Sequence, residues 1–408
     1  MNGSQTNHFV GLDVGTSTVR CVVGMLDVND GGKLSVIGHG AAPSLGMRRG
    51  SVVQVEEVAD AITQAVHEAE RISGVRIDRA TVNINGAHIS GIDSKGVIAI
   101  SAGNHEISPE DRQRVDEAAT AVKFPPNREI VQFFAKGYSL DGQRNIKEPV
   151  GMQGVRLEVE AHIITAATPN LRNLDAALVR ASITPNNHTV SSLASAEATL
   201  TREQKEAGTL VLDIGAGTTN LIVVEDGEVQ HVAVLPIGGS HITNDLAIGL
   251  KTDLDIAEAV KLQHATLLDT KKATATVSLH NRQHSFDMDE VQMICEARIE
   301  EIFEYVDKEL QRIRKSRKLP GGVVLNGGTA KLPGIAEYAK KHLQLAARVG
   351  KVRGITGLAD TVEDESFTSA VGLMMLDMLL PSHDMLSASP VEHNSIAIVK
   401  SLFKKIGL

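Results

Sequence analysis

Residues 9–24 read FVGLDVGTSTVRCVVG, and residues 209–224 read TLVLDIGAGTTNLIVV. Each is an apolar strand, then Asp-x-Gly, then small hydroxyl or glycine residues, then a second apolar, β-branched strand. That pattern predicts a β-hairpin with a tight turn at its tip. Asp13 aligns with Asp213, Gly15 with Gly215 and Thr18 with Thr218. The two copies lie about half the chain apart, so the molecule reads as two related halves that open with the same device.

A turn rich in Gly, Ser and Thr presents backbone N–H groups to an anion, because no Cβ blocks the approach. Gly15, Thr16 and Ser17 form the first such tip. Gly215, Ala216, Gly217, Thr218 and Thr219 form the second. The hydroxyls of Thr16, Ser17, Thr218 and Thr219 add donors, and Arg20 supplies a positive charge. Asp13 and Asp213 would then face a shared metal rather than the phosphates. A hard cation such as Mg²⁺ takes carboxylates and bridges phosphate oxygens. A third loop, Gly327-Gly328-Thr329, follows an apolar strand and precedes a helix, which suits close backbone contact with a nucleoside. The chain has no G-x-x-x-x-G-K-[ST], so it is not a P-loop protein.

Between the hairpins the pattern is α/β. Residues 55–72 have helical periodicity and end near Gly74. Residues 80–84 are a short strand. Residues 86–166 read as a small α+β insert with a strand at 96–101, further strands at 129–138 and 155–165, and a helix opened by Ser108-Pro109-Glu110-Asp111. Helices follow at 170–181 and 192–200. After the second hairpin, 242–249 and 255–262 are helical, 274–279 and 283–286 are strands, and 289–313 is a long amphipathic helix. Residues 323–326 form a strand, and a helix starts near Pro333.

The 408 residues allow two to three domains at roughly 150 residues each. Hydrophobic residues make up 42% and charged residues 22%, as in a globular protein. Aromatics are 3% and Trp is absent, so the cores must be aliphatic and a base-stacking surface is not expected. The net charge of −9 argues against nucleic acid as a partner. Cys21 and Cys295 are the two cysteines, too few for a disulfide framework and consistent with a reducing cytoplasm. The polar start, MNGSQTNHF, carries no signal-peptide core. The longest apolar run, 370–380, is too short to span a membrane and contains Asp377.

Residues 394–408 read NSIAIVKSLFKKIGL. Ile396, Val399, Leu402, Phe403 and Ile406 share one helical face. Lys400, Lys404 and Lys405 fall on the other side, with no acidic residue. Such a helix can lie in a membrane interface with its lysines near anionic headgroups, each contributing on the order of 1 kcal/mol. The other reading is a helix docked on the protein's own core.

The order of these motifs resembles the actin, sugar kinase and heat-shock ATPase superfamily, and within it the FtsA family of bacterial cell-division proteins. The stretches that carry the resemblance are DVGTST, NREIVQFFAKGYSLDGQRNIKEPVGMQGVRLEVEAHIIT, LVLDIGAGTTNLIVV, LPIGGSHITNDLA, AEAVK, ARIEEIFE, VVLNGGTAKLPGI and the basic amphipathic tail. The resemblance implies an α/β, actin-like two-domain ATPase fold, with an FtsA-type inserted α+β subdomain, 1C, in place of actin subdomain 1B. Residues 1–85 and 167–204 would form subdomain 1A, and 86–166 would form 1C. Residues 205–246 and 320–381 would form 2A, and 247–319 would form 2B. A linker over 382–393 would lead to the membrane-targeting helix at 394–408.

It also implies ATP and Mg²⁺ as ligands, with Gly239, Glu258, Lys261, Gly327, Gly328 and Thr329 toward the adenosine. From the sequence alone, Glu258 and Lys261 read more readily as a solvated helix face. Ser191 stands where the superfamily positions the attacking water with Glu or Gln, which predicts slow or absent hydrolysis, because serine is no carboxylate base. Thr18 stands where many members carry Lys, with Arg20 as the available cation. The implied partners are a second copy of the chain, in filaments, and the C-terminal peptide of the tubulin-like protein FtsZ on 247–319, where Arg298 is the candidate contact. The remaining ones are the inner face of the cytoplasmic membrane at midcell and other division proteins at the 86–166 insert. A type IV pilus actin-like protein of the PilM kind and a small-molecule kinase are the alternatives. The first would not need the tail, and the second needs a carboxylate base facing the second hairpin.

Overall fold

The structure is a computed structural model of the chain that describes residues 8–27, 32–101, 103–122, 125–269 and 273–380. Two β-sheets follow one plan. In the first, His8–Val14 and Thr18–Asp27 form an antiparallel hairpin, and Lys33–Pro43 extends it. On the other side of His8–Val14, Arg79–Ile84 and then Thr184–Val190 add in parallel. In the second sheet, Thr209–Ile214, Thr219–Glu225 and Glu228–Leu235 repeat the antiparallel part. Val323–Asn326 and Ala347–Val349 repeat the parallel part. The internal repeat read from the two Asp-x-Gly segments is thus a repeat of whole lobes.

The hairpin strands are buried on both faces, so they read as near-continuous apolar runs. On His8–Val14, Val10 and Leu12 belong to the cluster that includes Ile62 and Ala65 of the Val55–Ser73 helix. Gly11 faces the Thr368–Leu379 helix instead. A Cβ there would stand 2.1 Å from the Ala370 carbonyl oxygen, so glycine is what lets that helix lie directly on the sheet. The core of each lobe is largely aliphatic; among the described residues, Phe134 is the buried aromatic of the first cluster and Phe303 that of the second, with Phe286 and Tyr338 at its margin.

The insert is a four-stranded sheet in the order Ile89–Ala99, Arg156–Ala167, Arg128–Leu140, Gln143–Ile146. Its first strand starts well before residue 96, because pairing with Arg156–Ala167 runs the full length of both strands. The Pro109–Thr120 helix covers it, and Ser108 and Asp111 form the capping box expected from the sequence. The insert also meets the second lobe. His162 Nε2 accepts from Val232 N at 3.1 Å, and its Nδ1 lies 2.6 Å from Asp93 Oδ1.

The expectation that all of 320–381 belongs with the second lobe needs correction. Ile355–Gly357 pairs with Lys33–Pro43 as a sixth strand of the first sheet. The Thr368–Leu379 helix packs between His8–Val14 and the Ser191–Thr199 helix, and residues 368–376 are all buried. Such a helix has no amphipathic period to read. Asp377 anchors its end: the carboxylate accepts from Val10 N at 3.0 Å, Thr81 Oγ1 at 2.7 Å and Asn186 Nδ2 at 2.9 Å. Asp377→Ala strands those donors and is expected to cost about 3 kcal/mol or more in urea unfolding. A loss below about 1 kcal/mol would show that water replaces the carboxylate.

One smaller difference follows local geometry. The last helix of the second lobe begins at Ile335 rather than Pro333, because a 3₁₀ turn, Gly328–Lys331, intervenes. The 394–408 helix, with Ile396, Val399, Lys400, Leu402, Phe403, Lys404, Lys405 and Ile406, lies outside the described residues, as does the linker before it. No helix among the described residues is long and apolar enough to cross a membrane.

Candidate functional site

The two hairpin tips meet where the lobes face each other. A Cβ on Gly217 would stand 2.7 Å from Thr16 Oγ1, so only a glycine permits this approach. The second tip is closed by Gly215 N donating to Thr218 O at 2.9 Å. It is backed by the first turn of the Gly239–Gly249 helix, whose Gly239 and Ser240 N–H groups donate to Gly215 O and Ala216 O at 2.9 and 2.8 Å.

The Gly327-Gly328-Thr329 loop closes over the same place. Thr329 Oγ1 donates to Gly215 O at 3.2 Å. Gly327 has φ +85°, and a Cβ on it would lie 2.4 Å from Asp213 Oδ1, so the loop rests on the carboxylate. A Cβ on Gly328 would meet nothing within 4 Å. Lys261 Nζ donates to Gly239 O at 3.3 Å and Thr243 Oγ1 at 2.9 Å, and it pairs with Glu258 at 2.6 Å. Glu258 also accepts from Thr243 Oγ1. Gly239, Glu258, Lys261 and Thr329 therefore form one connected wall beside the second tip, rather than a solvated helix face.

Asp13 and Asp213 are each the last residue but one of the first strand of their hairpin, and both are buried. Asp13 Oδ1 accepts from Asn83 Nδ2 at 2.6 Å, and Asp213 Oδ2 accepts from Ser369 Oγ at 2.8 Å. Burial, and then the negative charge of Asp213, push the Asp13 carboxyl up to about 7 against the opposing pull of Arg20 and Asn83. Burial also raises Asp213, opposed by its hydrogen bonds to Ser369 and Ser195 and by Arg20. Asp13 feels the charge of Asp213 across the lobe boundary, as a like charge in a low-dielectric space makes it do.

Arg20 sits across the hairpin from Asp13, and its guanidinium lies 5.4 Å from the Phe367 ring centroid. Its buried Nε has no hydrogen-bond partner. Asn220 and Asn326 flank Asp213 in register, and each has a buried Oδ1 without a partner.

Three of the expected residues have specific partners in the fold. Thr219, expected among the phosphate donors, is fully buried and donates to Ile237 O at 2.8 Å, because it already lies on the inner strand. Ser191 is buried at the start of the Ser191–Thr199 helix, where its Oγ accepts from Asn83 Nδ2 at 3.1 Å. Arg298 is held between two helices, with Nε and Nη2 on Asp245 at 2.5 and 2.9 Å and Nη1 on Glu301. Its charge is spent inside the second lobe.

Sequence reasoning missed Asn83, which joins Asp13, Val14 N and Ser191. It also missed Ser369, which reaches Asp213 from a helix of the other lobe. The signal for Asn83 was present. RATVNI and VVLN are apolar parallel strands of the two lobes, and each carries a single Asn beside the hairpin aspartate. Ser369 had no such signal.

A family profile described as "SHS2 domain inserted in FTSA" matches residues 86–165, and one described as "Cell division protein FtsA" matches residues 210–372. Cell division protein FtsA of Pseudomonas aeruginosa is 36% identical over 383 residues, covering 92% of this chain and 90% of that protein. The chain belongs to the FtsA family. FtsA of Bacillus subtilis is 38% identical over 371 residues, covering 90% of this chain and 82% of that protein. FtsA of Escherichia coli K12 is 30% identical over 377 residues.

Among solved structures, the PilM–PilN type IV pilus biogenesis complex matches with a TM-score of 0.66 at 18% identity, covering 91% of this chain and 99% of that one. MreB5 of Spiroplasma citri bound to ADP matches with a TM-score of 0.55 at 12% identity, covering 91% and 96%. At these identities the likeness shows the fold alone. It is the actin-like ATPase fold, here with the SHS2 insert of FtsA.

Proposed function

We propose that this FtsA-family chain binds ATP with Mg²⁺ between its lobes, self-associates into filaments, and tethers FtsZ to the inner face of the cytoplasmic membrane at midcell. The observation that carries the reading is the pair of buried carboxylates, Asp13 and Asp213, both raised by burial and Asp13 also by the charge of Asp213, at the junction of two glycine-rich tips. Two buried acids in one space call for a cation, and a hard one with oxygen preference suits them. The surrounding groups fit a nucleotide as well. Arg20 Nε is unpartnered, the space at Gly328 is open, and the tips offer backbone N–H groups without side chains in the way.

Asp13 and Asp213 would hold the metal, which when bound supplies the positive charge that the two acids and the phosphates share. Gly15, Thr16, Ser17, Gly215 to Thr218 and Arg20 would take the phosphates. Gly239, Glu258, Lys261 and the Gly327 to Thr329 loop would take the adenosine. Asn83 positions Asp13. Ser191 has no carboxylate with which to draw a proton from water, so hydrolysis would be slow or absent. Subdomain 1A would include the return of 355–379, with the insert near 86–166 as 1C, then 2A, and 2B over 247–319.

The tail at 394–408 would lie in the membrane interface, with the insert serving self-association and other division proteins. Because Arg298 is engaged by Asp245, an FtsZ peptide on 2B would rely on exposed apolar groups such as Met293 on the same helix. Met293→Asp is expected to weaken binding of the FtsZ C-terminal peptide by roughly tenfold or more, measured by fluorescence anisotropy, with ATP affinity unchanged. Unchanged peptide affinity would move the contact off the Met288–Arg312 helix.

The experiment that tests the whole reading is sedimentation of the full chain with anionic vesicles, with and without Mg-ATP and the FtsZ peptide. A version ending at Pro390 is the comparison. Vesicle binding by the full chain alone, carrying the peptide down with it, is expected. Equal pelleting of both versions would refute the tether.

A further inference from the structure

Met47–Arg48 and Ser51–Val52 form a two-residue β-hairpin, with Arg48 opposite Ser51. Its central residues, Arg49 and Gly50, have φ of +47° and +75°. Such a turn needs positive φ at both positions, and the residues that tolerate it are Asn, Asp and Gly. Gly50 obeys that rule. Arg49 does not: an L-residue with a long side chain in the left-handed region costs roughly 1 kcal/mol or more. Strain of this kind persists where the surroundings use it.

The turn sits at the junction of the two tips. Gly50 N donates to Thr16 Oγ1 of the first tip at 3.0 Å. A Cβ on Gly217 of the second tip would stand 3.1 Å from Arg49 Cα. A Cβ on Gly50 would collide with Gly86 N at 2.7 Å, so the turn is wedged and cannot slide away. Arg49 is exposed, and among the described residues its guanidinium makes no hydrogen bond or ion pair. Its charge does reach the second lobe. After burial, Arg298 and Arg49 are what hold the His241 imidazole below its usual range, and His241 lies in the first turn of the helix behind the second tip. The tips themselves carry no lysine, and Arg20 sits back against Phe367. A terminal phosphate placed between the tips would find Arg49 as the exposed cation at hand.

We infer that Arg49 is a phosphate-binding residue that contacts the terminal phosphate of a nucleoside triphosphate held between the lobes, and so sets the preference for triphosphate over diphosphate. The inference rests on the proposal that this cleft binds Mg-ATP. It assigns a role in discrimination to a turn that no glycine-rich motif includes. A charge-assisted arginine–phosphate contact is stronger than a neutral hydrogen bond and is made only when the outermost phosphate is present.

The test uses the full chain and three variants: Arg49→Gly, Arg49→Lys and Arg48→Ala. Affinities for Mg-ATP and Mg-ADP are measured by titration calorimetry, alongside melting temperature. Arg49→Gly suits the left-handed turn, so it is expected to melt no lower than the parent. It should lose roughly tenfold or more in ATP affinity with ADP affinity within about twofold. Arg49→Lys should recover part of the ATP preference, and Arg48→Ala should retain all of it. A parent that binds both nucleotides, with an ATP-to-ADP ratio unchanged in Arg49→Gly, overturns the inference alone. Equal losses for both nucleotides also overturn it, since a structural role would act that way. A parent that binds neither nucleotide overturns the cleft reading, and the inference falls with it.

Discussion

Asp13→Asn is expected to raise the melting temperature of the nucleotide-free protein at pH 8 and to weaken Mg-ATP binding by about a hundredfold or more. Both effects have one cause. Burial and the neighbouring Asp213 lift the Asp13 carboxyl from 3.8 to about 7. A carboxyl whose folded value lies above its unfolded value favours the folded state only while it is protonated. Its stabilisation is fully present below about pH 4, declines as pH rises, and is lost by about pH 7. Above that, the free protein holds the buried Asp13 charge, at a cost on the order of 4 kcal/mol. Asparagine removes the charge and keeps an oxygen for Asn83 Nδ2. It also removes half of the anionic pair that would hold the metal. Asp213→Ala should show the same loss of Mg-ATP binding. Parent and variant with equal melting at pH 8 and equal Mg-ATP affinity would mean that the two acids are not the metal site.

Phe403→Glu is expected to abolish binding to anionic vesicles while leaving ATP affinity intact. Phe403 lies on the apolar side of the 394–408 sequence, with Ile396, Val399, Leu402 and Ile406. Withdrawing a phenylalanine from the acyl region forfeits about 1.5–3 kcal/mol. A carboxylate beside anionic headgroups adds about 1 kcal/mol of repulsion. Together these amount to roughly a hundredfold in partitioning, enough to empty the pellet in a sedimentation assay. Equal pelleting of parent and variant would show that the tail docks on protein rather than on lipid.

The parts of the fold that could be read in advance share a short range. Each Asp-x-Gly hairpin is written in sixteen contiguous residues, and its strands pair with each other. The Pro109–Thr120 helix announces its start through Ser108 and Asp111, which bond each other's backbone within one turn. The Met288–Arg312 helix shows its buried face at helical spacing. The Asp213 site was half legible for the same reason. Its carboxylate lies in the hairpin, whereas Ser369 and Asn326 arrive from more than a hundred residues away.

Where the partners are remote, the pattern fails. Thr184–Val190 reads TPNNHTV, too polar for a sheet strand, yet it pairs in parallel with Arg79–Ile84. It does so because Gln132 Nε2 and Asn83 satisfy the polar groups around Thr189 and Ser191. Thr368–Leu379 is buried on every side and so has no face to read.

By itself the sequence determined the duplication, the paired aspartates, the glycine-rich tips and the family, because these reside in local backbone chemistry that travels with the residues. Only the tertiary structure decided that the chain returns to the first lobe after Val349, that Arg298 is spent on Asp245, and that Arg49 is set between the two tips. Those outcomes depend on which surfaces close on one another, and a side chain's charge is free or neutralised according to neighbours that no stretch of sequence around it names.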